Sequence, residues 1–438
     1  MFGYYLDLAW RSLKRSPGIT ALMVLSIGIG VALAMSSWTL LHLMSHDPIP
    51  QKSAVLYFPT IDPWGPAARS KARDGNEPPP LLDYGTATAL LREHRATRQA
   101  AIFAIGPTVL PKRANAFPFT PKAYAVTNAF FPMLDVPFKY GSGWSPADET
   151  GAAQVAVISQ RVNNKLFGGA DSVGKSITVD GRDYRVVGVV ANWNPQPRFF
   201  DLLQTQGMNG FANHPTGLYL PFSAAVAAHM GNGSGACFKQ PANTGYAAWL
   251  HSTCTWISYI AQLDTLAAAQ RYKTYLQGFA RERFSWPPNV RLHDLMAWLA
   301  YRQVVPGNFK VLRLVGIGLL VVCLVDTIGL LLAKFMRRAP EIGIRRALGA
   351  PRHSIYAQFL TEGAAIGVAG GILGIIFTVL AMAWMRAQLP RQWIALTQLN
   401  AGLLALTLAV AIVATVLASL YPAWRAAHVP PALQVKTN

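Results

Sequence analysis

The sequence predicts a membrane protein with four transmembrane helices and a large α+β domain inserted between the first and the second. Three observations carry this prediction. Four long apolar runs occur, a 266-residue mixed segment follows the first of them, and arginine gathers at one set of run ends.

The composition sets the frame. Of 438 residues, 52% are hydrophobic and only 13% charged, with mean hydropathy +0.26. A soluble domain carries about 25% charged residues, so a disordered chain is excluded and a wholly soluble one is disfavoured. The net charge of +19 would by itself admit a nucleic-acid partner or an anionic membrane surface. Its location decides: Ser45–Lys310 carries +9, while the other 172 residues carry +10 on short segments beside apolar runs. That pattern is membrane topology, with no nucleic-acid role expected.

The first run, Ile19–Met44, has 26 residues without Asp, Glu, Lys or Arg. At 1.5 Å per residue it spans about 39 Å, more than the hydrocarbon core of about 30 Å. A cleaved signal peptide is the competing reading, since Arg11, Lys14 and Arg15 precede the run and Ala32-Leu33-Ala34 resembles a cleavage site. The run continues ten residues past Ala34, too long for that reading. Further runs cover Leu314–Ala333, interrupted by Asp326, then Gly363–Met385 and Leu399–Trp424.

Arg337, Arg338, Arg345, Arg346 and Arg352 fill the link between the second and third runs, and Arg425 and Lys436 follow the fourth. Only Arg386 and Arg391 lie between the third and fourth. Both termini and the Arg-rich link are therefore expected in the cytoplasm, with Ser45–Lys310 outside.

The outer segment shows two β-α-β patterns around a central insertion. Val55–Ile61 and Ala100–Ile105 have strand composition around a helical Leu81–Arg98; Trp256–Leu263 and Asn289–Leu292 flank a helical Thr265–Phe284. Inside the insertion, Gln154–Ser159, Ser176–Val179 and Tyr184–Val190 are expected strands, the last two joined by the hairpin signal Asp180-Gly181. Asp62–Pro80 and Gln204–Gly217 are expected loops.

Gly169-Ala-Asp-Ser-Val-Gly174-Lys175-Ser176 matches a phosphate-loop expression. A working phosphate loop opens a helix whose amides hold the phosphates, whereas the residues after Ser176 run into the expected hairpin. A turn before a strand is the expected structure. The nine His show no H-E-x-x-H spacing, and neither Cys-x-x-Cys nor G-x-S-x-G occurs. No catalytic, cofactor or metal site is expected in the chain.

Cys237 and Cys254 share the outer segment, where an oxidising compartment favours a disulfide over two free thiols. Closing that loop is worth about 3 kcal/mol. Cys323, inside the second run, is expected to be a small apolar filler. Gly363, Gly367 and Gly371 place three missing side chains on one helical face, so a neighbouring helix approaches closely, from within the chain or from a second protomer. Asp326 is an intramembrane ionisable group: either a relay, or a protonated or locally hydrogen-bonded acid beside Thr327.

The most specific segment is Glu341-Ile-Gly-Ile-Arg345-Arg346-Ala-Leu-Gly-Ala350-Pro-Arg352. On a helix, Ile342, Ile344, Ala347 and Leu348 would offer an apolar side, and Glu341, Arg345 and Arg346 a charged one, suited to docking a soluble partner. A plain basic anchor at the membrane surface is the alternative.

Glu341–Ala350 resembles the signature between the second and third spans of FtsX/MacB-type ABC transporter permeases. Ala9–Gly18 is similar to the short helix before that family's first span. Val126–Leu134, Val157–Ser159, Leu166–Gly168, Gly174-Lys175 and Val186–Val190 look like its periplasmic core domain. Tyr421–Ala427 with Pro430 resembles its exit from the fourth span. Lys436 stands where Arg is common and Asp326 where Asn is usual.

The resemblance implies an inner-membrane permease with a cytoplasmic helix at 1–18, spans at 19–44, 311–334, 361–386 and 399–424, and a periplasmic domain at 45–310. A coupling segment at 335–360, a periplasmic loop at 387–398 and a cytoplasmic tail at 425–438 complete it. It implies an ATPase-coupling role for Glu341, Ile342, Ile344, Arg345, Arg346, Leu348 and Gly349. It also implies a dimer with a second permease and a separate ATPase that binds ATP and magnesium, since no nucleotide-binding domain is expected here. An export role with a periplasmic adaptor and an outer-membrane channel follows. A regulator of a peptidoglycan hydrolase usually has a much smaller external domain; lipoprotein release is the third reading.

Overall fold

A computed structural model of the chain describes residues 11–68, 76–112, 117–201, 210–211, 215–231, 235–241, 245–390 and 401–428. The chain divides into two compact units, Met1–Ser45 with Pro306–Asn438, and His46–Val305. Arg391, the start of the fourth span at Leu399, Lys436, and parts of the expected loops and terminal segments lie outside the described residues.

The His46–Val305 unit is built on one mixed sheet. Strands β1 (Leu56–Ile61) and β2 (Arg98–Ile105) flank the helix Tyr84–Glu93, and β10 (Ser258–Gln262) and β11 (Val290–Asp294) flank the helix Leu266–Arg283. Asp83 and Thr265 cap those helices, accepting from the amides of Thr86 and Ala268. β1 pairs antiparallel with both β10 and β11, and β10 pairs antiparallel with β2. The two β-α-β patterns therefore interleave in the order β11-β1-β10-β2, a split β-α-β arrangement.

The central insertion continues this sheet rather than forming a body of its own. It contributes β3 (Val109–Leu110), β4 (Ala123–Val126), β5 (Phe138–Gly141), β6 (Val155–Ser159), β7 (Ser176–Val179), β8 (Arg182–Val190) and β9 (Leu218–Pro221). Beyond β2 the order runs β4-β9-β6-β8-β7-β3, with β5 on β8. Every residue of β4, β6, β9 and β10 is buried, so these strands show no alternation, whereas β5 and β7 alternate as half-exposed strands should. Between β7 and β8, Asp180 and Gly181 both have positive φ, 47° and 76°, which matches the right-handed twist of a two-residue hairpin.

Cys237 and Cys254 are disulfide-bonded. Ala236 and Thr255 exchange both backbone hydrogen bonds, at 3.0 and 2.8 Å, which sets the two cysteines opposite one another.

Among the described residues, the other unit contains four helices long and apolar enough to cross a membrane: Pro17–Met44, Gly307–Met336, Arg352–Gln388 and Ala401–Ala427, the first to fourth spans. The helix that carries the third span begins at Arg352, ahead of the residue 361 where the span itself is expected to start. Its 37 residues reach about 55 Å, so its first turns extend beyond a hydrocarbon layer of about 30 Å. Part of the expected coupling segment at 335–360 thus belongs to this helix, leaving Ala339–Ala347 as a separate short one.

The glycine stripe of the third span faces the fourth span of the same chain. A methyl group built on Gly363 would sit 2.6 Å from Ser419 Oγ, one on Gly371 2.8 Å from Leu408, and one on Gly367 would collide with Thr415. The opposing residues Thr407, Ala411, Thr415 and Ser419 are buried, and the two threonine hydroxyls donate to carbonyls in their own helix. Backbone approach through small residues replaces a hydrophobic driving force that lipid does not supply. Cys323 is buried and packs against Gly30 of the first span.

Gly367→Leu should therefore lower the thermal unfolding midpoint of the detergent-solubilised protein, by an overpacking cost of about 1–3 kcal/mol. Gly318→Ala, where nothing lies within 4 Å, should be neutral or slightly stabilising by helix propensity. Equal effects of the two would show that this contact is not the one holding the third span to the fourth.

Candidate functional site

The candidate site is the Arg-rich end of the four-helix unit. Arg338 is the N-cap residue of the short helix Ala339–Ala347, and Pro340 stands in its first turn, where a missing amide hydrogen costs nothing. Leu348 closes the helix, and Gly349 follows with φ +95°, a conformation glycine adopts without penalty. Pro351 then caps the third span.

This helix has one tethered face and one open face. Ile342 is 7% exposed and belongs to a cluster with Leu331, Phe335, Ile355, Phe359 and Ala423. Arg346 donates to the carbonyl of Ala427 at 3.1 Å, a cation at the C-terminal end of the fourth span, where the helix dipole favours it. Arg345 donates to Gln358 Oε1 at 3.1 Å. Glu341 pairs with Arg15 at 2.5 Å, but both are substantially exposed, so that bridge contributes at most about 1 kcal/mol.

Two expectations about this segment are corrected. Its apolar residues do not share one side: Ile342 turns inward, while Ile344 and Leu348 are 59% and 83% exposed. The reason is the period of the helix, since positions 341, 344, 345 and 348 fall on one face and 342 and 346 on the other. Arg346, expected on a docking surface, binds the bundle instead.

Beneath the helix lies a buried ionic cluster. Lys334 Nζ stands 2.5 Å from Glu362 Oε1, with the two side chains 2% and 0% exposed. Arg338 Nη1 lies 3.6 Å from Glu362 Oε2 and donates to Ser12 Oγ at 2.5 Å. Ser12 Oγ in turn donates to Glu362 Oε1, and Lys334 Nζ donates to Thr20 Oγ1 at 3.4 Å. One carboxylate thus gathers the segment before the first span, the end of the second and the start of the third. Sequence reasoning missed Ser12, Lys334, Arg338 and Glu362 as a set. A signal was present: acids are scarce outside the large insertion, and Glu362 opens a span facing an Arg-rich link.

Of the sequence readings of Asp326, its surroundings bear only on the local hydrogen bond. Asp326 lies on the exposed surface of the second span, and the Thr327 hydroxyl donates to the carbonyl of Cys323 at 2.7 Å rather than to Asp326. No local hydrogen bond to Asp326 is present among the described residues. Lys175 precedes β7, so Gly174-Lys175-Ser176 opens a strand rather than a helix, and the Lys175 ammonium lies 5.4 Å from the Phe167 ring.

Comparison with known proteins places this geometry in context. The MacB-like periplasmic core domain matches residues 20–261, and the FtsX-like permease C-terminal region matches 313–431. The pyoverdine export ATP-binding/permease protein PvdT of Pseudomonas entomophila is 24% identical over 384 residues, 86% of this chain and 51% of that protein. The macrolide export ATP-binding/permease protein MacB of Escherichia coli is 24% identical over 395 residues, 89% of this chain and 54% of the other. The chain spans about half the length of these curated relatives. Among solved structures, the periplasmic region of MacB from Actinobacillus actinomycetemcomitans aligns at 13% identity with TM-score 0.36, covering 56% of this chain and 92% of that one.

Glu362→Ala should cost about 3–5 kcal/mol by stranding the Lys334 and Arg338 cations, whereas replacing Lys334 and Glu362 together by Met should recover the part of the loss that comes from Lys334. Chemical or thermal unfolding of the three proteins in one detergent checks this. A double-variant loss as large as that of Glu362→Ala would show that a stranded Lys334 charge is not what destabilises the single variant.

Proposed function

Since the chain belongs to the FtsX/MacB family of ABC transporter permeases, we propose that it is the permease subunit of an export system. In this reading it lies in the inner membrane of a bacterium with both termini and the Arg-rich end in the cytoplasm. A partner ATPase binds ATP and magnesium there, and a second permease completes a dimer. The His46–Val305 unit works in the periplasm, with an adaptor and an outer-membrane channel as partners. The relatives PvdT and MacB are both named as export proteins, which supports this direction of transport.

One observation carries the proposal: the helix Ala339–Ala347 holds one face to the bundle and leaves Ile344 and Leu348 open. A leucine 83% exposed beside Glu341 and Arg345 is an apolar anchor with a charged surround, the composition of a helix that enters a hydrophobic groove. Because Arg346 and Ile342 fix the other face, a push on the open face is delivered to the ends of the spans rather than absorbed by a loose loop. The helix then serves as the transmission element between ATP hydrolysis and the periplasmic unit. The chain itself has no catalytic role in this scheme.

Leu348→Asp should weaken co-purification of the partner ATPase at least tenfold, while membrane insertion and the disulfide-bonded domain survive. Wild-type association and export in that variant would reduce the segment to a basic anchor. Lys175→Ala should leave ATP hydrolysis by the assembled complex within about twofold, because the lysine of a functional phosphate loop is a direct phosphate ligand and this one opens a strand. A near-complete loss with intact assembly would overturn that reading.

A further inference from the structure

The second span, Gly307–Met336, is packed along one side only. Gly316, Cys323 and Thr327 are buried on that side, where a methyl group built on Gly316 would meet Ser37 and Leu33 of the first span and Cys323 lies against Gly30. On the opposite side, Val311, Val315, Gly318, Val322, Val325 and Gly329 recur at alternating steps of four and three residues. That spacing keeps one seam of a helix turned toward a partner helix. The four valines are each more than half exposed, and nothing lies within 4 Å of a methyl group built on either glycine.

Asp326 follows Val325 directly, at the edge of this seam, and is exposed. Eight residues separate it from Lys334 and thirteen from Arg313, about 12 and 20 Å along the helix, and Lys334 is held by Glu362. Among the described residues no hydrogen bond or ion pair reaches it. Ionisable groups within a bilayer face a bundle interior, a water-filled cavity or a partner, because lipid offers them nothing. A lipid-facing surface accounts for the valines; it does not account for a carboxyl among them.

Charge complementarity decides which helix fits. A second copy brings to the seam only valine, glycine and another Asp326, with no donor for either carboxyl, and neighbouring carboxyls disfavour one another's charge. A helix with an ammonium, a guanidinium or a side-chain amide at the same depth supplies the missing donor, while the glycines admit its backbone closely. We infer that this seam docks a membrane helix of a different protein, one that carries Lys, Arg, Asn or Gln opposite Asp326, and that the carboxyl selects against self-pairing. The inference rests on the proposed dimer, to which it adds that the two permeases differ.

The test places the full chain in phospholipid vesicles and reads association by energy transfer to a labelled polyleucine transmembrane peptide with one central lysine, the same peptide with leucine there being the control. The lysine peptide should associate at least tenfold more tightly. Asp326→Leu should erase that difference and Asp326→Glu should keep it. Replacing Gly318 and Gly329 together by Leu should weaken the lysine peptide severalfold with an unchanged unfolding midpoint, since both glycines face open space. Between differently labelled copies of the chain, Asp326→Asn should self-associate more strongly than the unsubstituted protein, because paired amides can both donate and accept. Equal binding of the two peptides, or full binding by the double glycine variant, would overturn the proposal; self-association of the unsubstituted chain as strong as that of Asp326→Asn would make a second copy the occupant and overturn it too. Neither measurement involves the ATPase, so failure here leaves the docking role of Ala339–Ala347 standing, and wild-type ATPase association in Leu348→Asp leaves the seam standing.

Discussion

The Arg-rich end of the helical unit depends on one carboxylate. Glu362 is fully buried and holds Lys334, Arg338 and Ser12 around it. Two unit charges 4 Å apart attract by about 4 kcal/mol at the effective dielectric of a partly buried site, and desolvation offsets much of that. The cluster is therefore weak as a source of net stability and strong as a source of geometry. Any arrangement that separates its members leaves a charge buried alone. Arg338 is also the N-cap residue of the helix Ala339–Ala347, so the same ions that gather three segments fix where that helix begins.

The small residues of the spans make this gathering consistent with the rest of the bundle. Gly363 follows Glu362 directly, and the stripe it starts draws the third span onto the Thr415 and Ser419 face of the fourth. The fourth span ends at Ala427, whose carbonyl receives Arg346. Helix ends, ionic cluster and short helix are thus mutually referenced: a displacement of the short helix is felt by the first, second, third and fourth spans through separate contacts. A stiff connection of this kind suits force transmission better than a flexible linker, in which a push would be lost to local rearrangement.

Much of the fold was legible from pattern. The four spans followed from apolar length, and Val55–Ile61, Ala100–Ile105 and Trp256–Leu263 fell on β1, β2 and β10 within one or two residues at most ends. Strands β4 and β9 were not found, because four-residue segments buried on both faces carry no alternation, and Ala-Tyr-Ala-Val reads equally well as helix. The interleaved strand order was hidden as well, since pairing partners lie up to about 240 residues apart. At the candidate site the sequence identified the helix but assigned its faces incorrectly, as Ile342 and Arg346 show. Composition reveals amphipathicity, whereas only the tertiary arrangement reveals which polar residues a bundle consumes. Glu362 escaped notice for the same reason: an acid at a span boundary looks like an interfacial residue until its three partners, distant in sequence, are seen around it.

The proposed function requires that the buried cluster hold the short helix rigidly to the bundle. Amide hydrogen exchange across Ala339–Ala347, compared between the unsubstituted chain and Glu362→Gln in the same lipid nanodisc, tests it most directly. The account predicts slow exchange in the unsubstituted protein and at least tenfold faster exchange in the variant, with the strands of the His46–Val305 unit unchanged. Equal protection of the helix in both proteins would contradict it.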